Sequence, residues 1–269
     1  MNDNNMTVKK IADAIAIGII VIILFAVFGA TGIFSELGAR LEGKEEKTTV
    51  STYSTSEITE LDIEVATASI TILTGDTLSI ENDRFGFKLN EKKGKINLEE
   101  RGGIYALDRN RRVIITVPAD FTFEKVEIET SASDIAGDGI KAQQLDFDIG
   151  AGSISLGNLE VTGKADVDCG AGEFIVSNGR INNLKFSLGV GTAKISSALT
   201  SDCDFECGVG ELELNLPDGK SNYTFSFDTG LGPVKLDSKR IRSGDVVGEG
   251  ANNVHIEGGV GSIDITFNK

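Results

Sequence analysis

Apolar and polar residues alternate over most of the chain, and the alternation breaks at regular places. Leu145, Phe147 and Ile149 are separated by Asp146 and Asp148; Gly150-Ala-Gly152 follows, and alternation resumes with Ile154 and Leu156. Period two predicts a strand with one buried face. The Gly-x-Gly doublet recurs from Gly170, Gly189, Gly208, Gly230 and Gly259, so successive first glycines stand 20, 19, 19, 22 and 29 residues apart. Small residues replace it in two further copies, Ser131-Ala132-Ser133 and Ala66-Thr67-Ala68. Each unit therefore predicts strand, corner, strand and return turn. Glycine suits the corner because it accepts positive φ and close backbone approach. The middle corner residue is Ala, Ala, Val, Val, Leu and Val along the chain; being apolar, it is expected to point inward.

A unit of about 19 residues cannot bury its own apolar face, whereas stacked copies can. The expected fold is all-β, a single-stranded β-solenoid or β-helix-like stack with coils ~4.8 Å apart. A β-propeller, at ~40–45 residues per blade, and a twisted β-sandwich are weaker alternatives. Residues 75–125 break the period, with strand candidates at 77–81, 85–89, 95–98 and 112–117. They are expected to open the stack within the same domain.

The N-terminus follows a different pattern. Ala14 to Phe34 is an uncharged run of 21 residues, long enough at ~1.5 Å per residue to cross a bilayer core. It exceeds the ~7–15-residue apolar region of a cleaved signal peptide, and an uncleaved anchor is preferred to that rival. The expected organisation is a short cytoplasmic tail at 1–10, a transmembrane helix at 11–34, a polar spacer at 35–56 and an extracytoplasmic β-repeat domain at 57–269. Lys9 and Lys10 before the run are matched by Arg40, Lys44 and Lys47 after it. The charge count therefore leaves orientation undecided, and the ten-residue tail makes an external domain the default.

Composition narrows the function. With 32 Gly, 3 Pro and no Trp, the chain suits a β-protein with many tight corners. A net charge of −15 argues against nucleic acid as a partner. Residues 82–112 run the other way, with 9 basic and 5 acidic side chains. Lys92, Lys93, Lys95, Arg109, Arg111 and Arg112 of this segment are candidates to rest on anionic lipid headgroups; a solvated hairpin is the plainer reading. The longest insertion between repeats, 237–253, is a candidate recognition loop with Arg240 and Arg242 as its contact points.

No catalytic, cofactor or metal site is expected. Gly150-x-Gly152 is followed by more strand rather than the helix a dinucleotide fingerprint needs. The ~19-residue period does not fit calcium-binding nonapeptides. Cys203 and Cys207 would lie ~13 Å apart along one strand and Cys169 and Cys207 ~10 Å apart across two coils, too far for disulfides. All three read as small core side chains. His255, the single histidine, precedes an inward Ile256 and is expected to point out.

The line "VIITVPADFTFEKVEIETSASDIAG" (113–137), the repeated corner units after it and "LNLPDGKSNYTF" (214–225) resemble the DUF4097 family, bacterial β-strand-repeat proteins often labelled "putative adhesins". The resemblance covers about 58–267. It implies an extended parallel β-stack in a cell-envelope setting, and membrane-anchored relatives are associated with envelope stress. It transfers no catalytic residues, because the family has no established activity. The expected function is a non-enzymatic, membrane-anchored envelope interaction protein, held in the bilayer by its N-terminal helix and serving a membrane-protein or cell-wall partner. A cell-surface adhesin and a carbohydrate-active enzyme on a β-helix are the alternatives. Open edge strands leave self-association possible.

Overall fold

The computed structural model describes residues 48–83, 86–101 and 111–268. The tail at 1–10, the helix expected at 11–34 and the first part of the spacer, 35–47, lie outside the described residues. Among the described residues, no helix is long and apolar enough to cross a membrane.

The described chain is almost entirely strand. In order these are β1 (Thr48–Tyr53), β2 (Glu60–Val65), β3 (Ser69–Gly75), β4 (Leu78–Asp83), β5 (Phe87–Lys92), β6 (Lys95–Glu100), β7 (Arg112–Pro118) and β8 (Phe123–Val176). They continue with β9 (Gly179–Asn182), β10 (Leu184–Ile195), β11 (Ala198–Thr200), β12 (Asp202–Leu216) and β13 (Tyr223–Leu231). The last are β14 (Val234–Leu236), β15 (Lys239–Ile241), β16 (Val246–Val247) and β17 (Asn252–Phe267). All 17 strands belong to one sheet.

The repeats stack in parallel and in register, as in a β-solenoid. Phe186 of β10 lies beside Val167 of β8 on one side and Phe205 of β12 on the other, and Gly191 lies between Gly172 and Gly210. Inward side chains from successive coils form continuous rows. Phe174, Phe186 and Phe205 follow one another with ring centroids 5.1 and 5.7 Å apart, each buried and each contributing about 1.5–3 kcal/mol by leaving water. Short third strands, β9 and β11, pair behind the corner strands and bring Leu159, Ile181 and Leu199 into the same core.

The corners explain the glycines. At Gly191 φ is +148°, and a Cβ there would sit 1.8 Å from the Gly172 carbonyl oxygen of the adjacent coil. At Gly189 a Cβ would sit 2.4 Å from the Gly170 oxygen. Only a bare backbone lets coils approach to strand spacing at this bend.

Spatial order departs from chain order at both ends. β17, the last strand, lies between β12 and β13: Cys203 pairs with Val254, and Tyr223 pairs with Asn252. The insertion after β14 accounts for this. It returns antiparallel along the outer edges of β14, as β15, and of β13, as β16. A coil covered in this way cannot accept another, so the final copy fills the place beside β12. At the opposite end, β2 and β3 are covered on their outer side by β6 and β7. Antiparallel β4 and β5 pair in turn with β7 and β6. These additions give both ends of the stack antiparallel cover, a common defence of sheet edges. The coil levels, from β7 to β13, make a stack about 40 Å long at ~4.8 Å per level.

The end of the expected spacer is part of the fold. Thr48–Tyr53, rich in Thr and β-branched residues, pairs with β4 from Thr48↔Asp83 to Tyr53↔Leu78, and Tyr53 packs against the core. Chain from 1–47 therefore enters the domain at the β4 end.

Candidate interaction surface

The two groups of cations singled out from the sequence lie at opposite ends of the stack. At the β4 end, Lys93 (φ +55°) and Gly94 (φ +82°) make the two-residue turn between β5 and β6, as a type I′ hairpin requires. Lys92 and Lys93 are exposed at its tip, and Arg112 is exposed at the start of β7. Lys95 is held by Asp62, Nζ to Oδ2 2.6 Å, and that hydrogen bond raises the pKa of its ammonium. Arg109 lies outside the described residues.

Arg111 is not a surface contact. It is 4% exposed, and its Nη1 donates to Glu100 Oε1 at 2.6 Å. Glu100 Oε2 accepts from the backbone N–H groups of Ala66 and Thr67 at 2.5 and 3.0 Å. The guanidinium also lies 6.0 Å from the Phe87 ring centroid. At the outermost coil, this buried pair binds the amides of the Ala66-Thr67-Ala68 corner. A run of nearby cations hid this role from the sequence, and Glu100 gave no signal of its own.

At the β13 end, Arg240 lies on β15 opposite Lys235 of β14. The Arg242 N–H donates to Asp245 Oδ2 at 2.9 Å. Both arginine side chains are exposed. Ser243 Oγ accepts the Thr229 N–H at 2.9 Å, so the insertion rounds the last corner beside Gly230-Leu231-Gly232.

Between the ends, the strands before the corners present carboxylates at coil spacing. Asp168 neighbours Ser187, and Glu206, Glu257 and Asp228 stand side by side on β12, β17 and β13. Burial, and then the neighbouring Glu127 and Asp166, push the Asp146 carboxyl above its ordinary pKa. Burial, and then Asp148 and Asp166, do the same at Asp168. An acid whose pKa is higher folded than unfolded favours the fold when protonated, and loses that contribution as pH rises through the folded value. At neutral pH both groups therefore weigh against the fold. Asp168→Asn is expected to raise Tm by about 1–2 °C. The gap from the parent protein should shrink at high salt, as melts at 20 mM and 500 mM NaCl would show (about a fivefold change in screening length).

His255 points out, as expected. Its Nδ1 is 2.8 Å from Ser226 Oγ and its Nε2 is 3.3 Å from Glu257 Oε1. The chain of three has the order of a nucleophilic triad, yet it lies on an open sheet face. Neighbouring β12 and β13 pair continuously with β17, which commits these amides to the ladder rather than to an oxyanion hole. The face after the corners carries a groove of about 510 Å³. Four of its charges pair, Lys194 with Glu213 at 3.5 Å and Lys235 with Asp264 at 3.9 Å, and Glu211 accepts from Ser262 Oγ at 3.4 Å.

The cysteines are core residues. Cys169 and Cys203 are buried, Cys207 is half-buried, and all are free thiols. Burial first, with nearby acids adding to it, pushes Cys169 and Cys207 up to about 12 and Cys203 up to about 11. At pH 8 iodoacetamide should leave all three unmodified in the folded protein and alkylate all three in urea, read by intact mass. The unfolded thiols ionise first, so their contribution to stability is present below about pH 9 and is lost as pH rises above it.

The middle corner residues correct the expectation that they point inward. Val190 lies between Ala171 and Val209, and Val260 lies between Val209 and Leu231. None of these belongs to the core or packs against it. Val260 is 48% exposed and Leu231 74% exposed. The positive-φ glycine after each one turns the chain through the bend, so these side chains stand outward between two bare glycine ladders. They form an apolar ridge along the corner, growing from alanine to leucine toward the β13 end.

The chain is similar to a known family and to several solved structures. A family model described as Toastrack DUF4097 matches residues 58–266. A structure described as a putative cell adhesion protein from Clostridium sporogenes is 13% identical, covering 83% of this chain and 100% of its own, with a TM-score of 0.38. One described as a putative adhesin from Bacteroides fragilis is 12% identical, covering 82% and 98%, with a TM-score of 0.39. No curated protein matches the chain. The matched span takes in most of the sequence and all of the stacked corners, and the chain belongs to the Toastrack DUF4097 family.

Proposed function

We propose that this is a non-enzymatic, membrane-anchored cell-envelope interaction protein, a scaffold suited to envelope stress. Its β-stack stands outside the membrane on the segment at 11–34. The observation that carries the reading is the polarity of the stack. Chain from the uncharged N-terminal run enters at the β4 end, where Thr48 pairs with Asp83, the same end of the stack as the hairpin that exposes Lys92 and Lys93. The recognition insertion with Arg240 and Arg242 caps the other end, about 40 Å away. One end is thus suited to a bilayer surface and the other to a partner.

An adhesin that grips a sugar polymer is less well supported. The sequence has no Trp, and among the described residues every aromatic side chain is buried or half-buried, leaving no exposed ring on which a sugar could stack.

The test is crosslinking of tagged full-length protein in living cells, with mass spectrometry of what is captured from washed membranes. The proposal expects the protein in the membrane fraction with a specific membrane-protein partner. Capture of no protein, with material retained on wall polymer, contradicts it and favours an adhesin.

A further inference from the structure

We propose that the apolar corner ridge is a docking surface for a cationic amphipathic segment, a basic helix with one apolar stripe. The inference deepens the interaction reading above and rests on it.

The ridge is Ala171, Val190, Val209, Val260 and Leu231 in that spatial order, one side chain per coil. Gly189 and Gly191 flank Val190, and equivalent glycines flank the others, so a shallow channel of bare backbone runs along each side. Outside the channels lie acids. Asp168, Glu206, Glu257 and Asp228 stand two residues before the first glycine of their corners, and Glu173 and Glu211 stand directly after the second glycine. All six are exposed. Farther out, Lys194 and Lys235 are paired with Glu213 and Asp264; Lys185 on β10 and Arg242, next to Ser243 at the last corner, are the exposed cations nearby, and the six acids outnumber them.

This charge pattern selects the occupant. A second copy would bring acid rows against acid rows, and an anionic lipid surface would be repelled in the same way. A helix with apolar residues at i, i+4, i+7 and i+11 advances ~5.4 Å per turn, close to the ~4.8 Å coil spacing. About four turns of such a helix can seat their stripe against the ridge. Lysines and arginines beside the stripe then face the carboxylate rows. Binding energy concentrates at Val260 and Leu231, the largest exposed members.

The test uses full-length protein in phosphatidylcholine nanodiscs, with empty discs as the blank. The probe is a fluorescein-labelled 18-residue amphipathic helix of leucine and lysine, and the counter-probe has glutamate in place of lysine. Fluorescence anisotropy should show saturable binding of the lysine peptide, weakened by salt, and none of the glutamate peptide. Leu231→Ser with Val260→Thr should weaken binding about tenfold with an unchanged melting curve, because both positions are exposed. Glu206→Gln with Glu211→Gln and Glu257→Gln should also weaken it and flatten its salt dependence. Equal binding of both peptides, no binding of the lysine peptide, or binding indifferent to the Leu231 and Val260 changes overturns the proposal. If a membrane protein is nevertheless captured in cells, the ridge is excluded and the interaction reading stands.

Discussion

Replacing Gly210 with valine is expected to prevent the repeat domain from folding. Gly210 has φ +148°, and a Cβ there would sit 1.8 Å from the Gly191 oxygen and 2.8 Å from the Gly191 carbonyl carbon. No rotamer relieves that contact, because the obstructing atoms are backbone. Coils β10 and β12 would have to separate, giving up ladder hydrogen bonds and the contact between Phe186 and Phe205. Strain at positive φ adds to the clash. The loss should exceed about 4 kcal/mol and appear as insoluble protein or as a lost cooperative melt by circular dichroism. Gly219→Ala is the control: the nearest atom to its Cβ would be Ser221 Oγ at 4.0 Å, and the melt should be unchanged.

Arg111→Ala is expected to destabilise the β4 end by about 3–5 kcal/mol, the usual consequence of removing one partner from a buried ion pair. The lost guanidinium holds Glu100 Oε1 at 2.6 Å and lies over Phe87. Its removal leaves a buried carboxylate with only the Ala66 and Thr67 amides. For a domain of this size the shift in Tm is about 10 °C. Glu100→Ala should cost a similar amount, since it orphans both the guanidinium and the two amides. The double substitution should cost less than the sum of the two, because each single change already breaks the same network. Lys92→Ala, at the exposed hairpin tip, should leave Tm unaltered. A surface role for Arg111 would predict no shift in Tm, and chemical denaturation of the four variants distinguishes the two cases.

Much of the fold was legible in the sequence because two signals coincide. Alternation at Leu184, Phe186 and Leu188 fixes which face is buried, and the doublet at Gly189 fixes where the strand bends. The place of β17 was not legible. Its inward residues Val254 and Ile256 follow the same pattern as Cys203 and Phe205 or Phe225 and Phe227, so alternation cannot rank the three coils. The order is set by the insertion at 237–248, whose return along β13 and β14 closes that edge. The outward turn of Val190 and Val260 was hidden for a related reason. Their apolar character suggests the core, and the positive-φ second glycine of each corner shifts the phase of the alternation. Arg111 was misread because a charge count cannot separate a cation on the surface from one buried beside Glu100.

We propose that the stack acts by binding, with its β13 end as the working end. Photo-crosslinking in living cells tests it directly. A benzophenone amino acid would be placed in the full-length protein at Leu231, and separately at Lys92 and at Gly219 as a comparison. A discrete protein adduct is expected from Leu231 and none from Gly219, with Lys92 yielding lipid or no adduct. Equal adducts from all three positions, or none from Leu231 with the protein correctly localised, would contradict it.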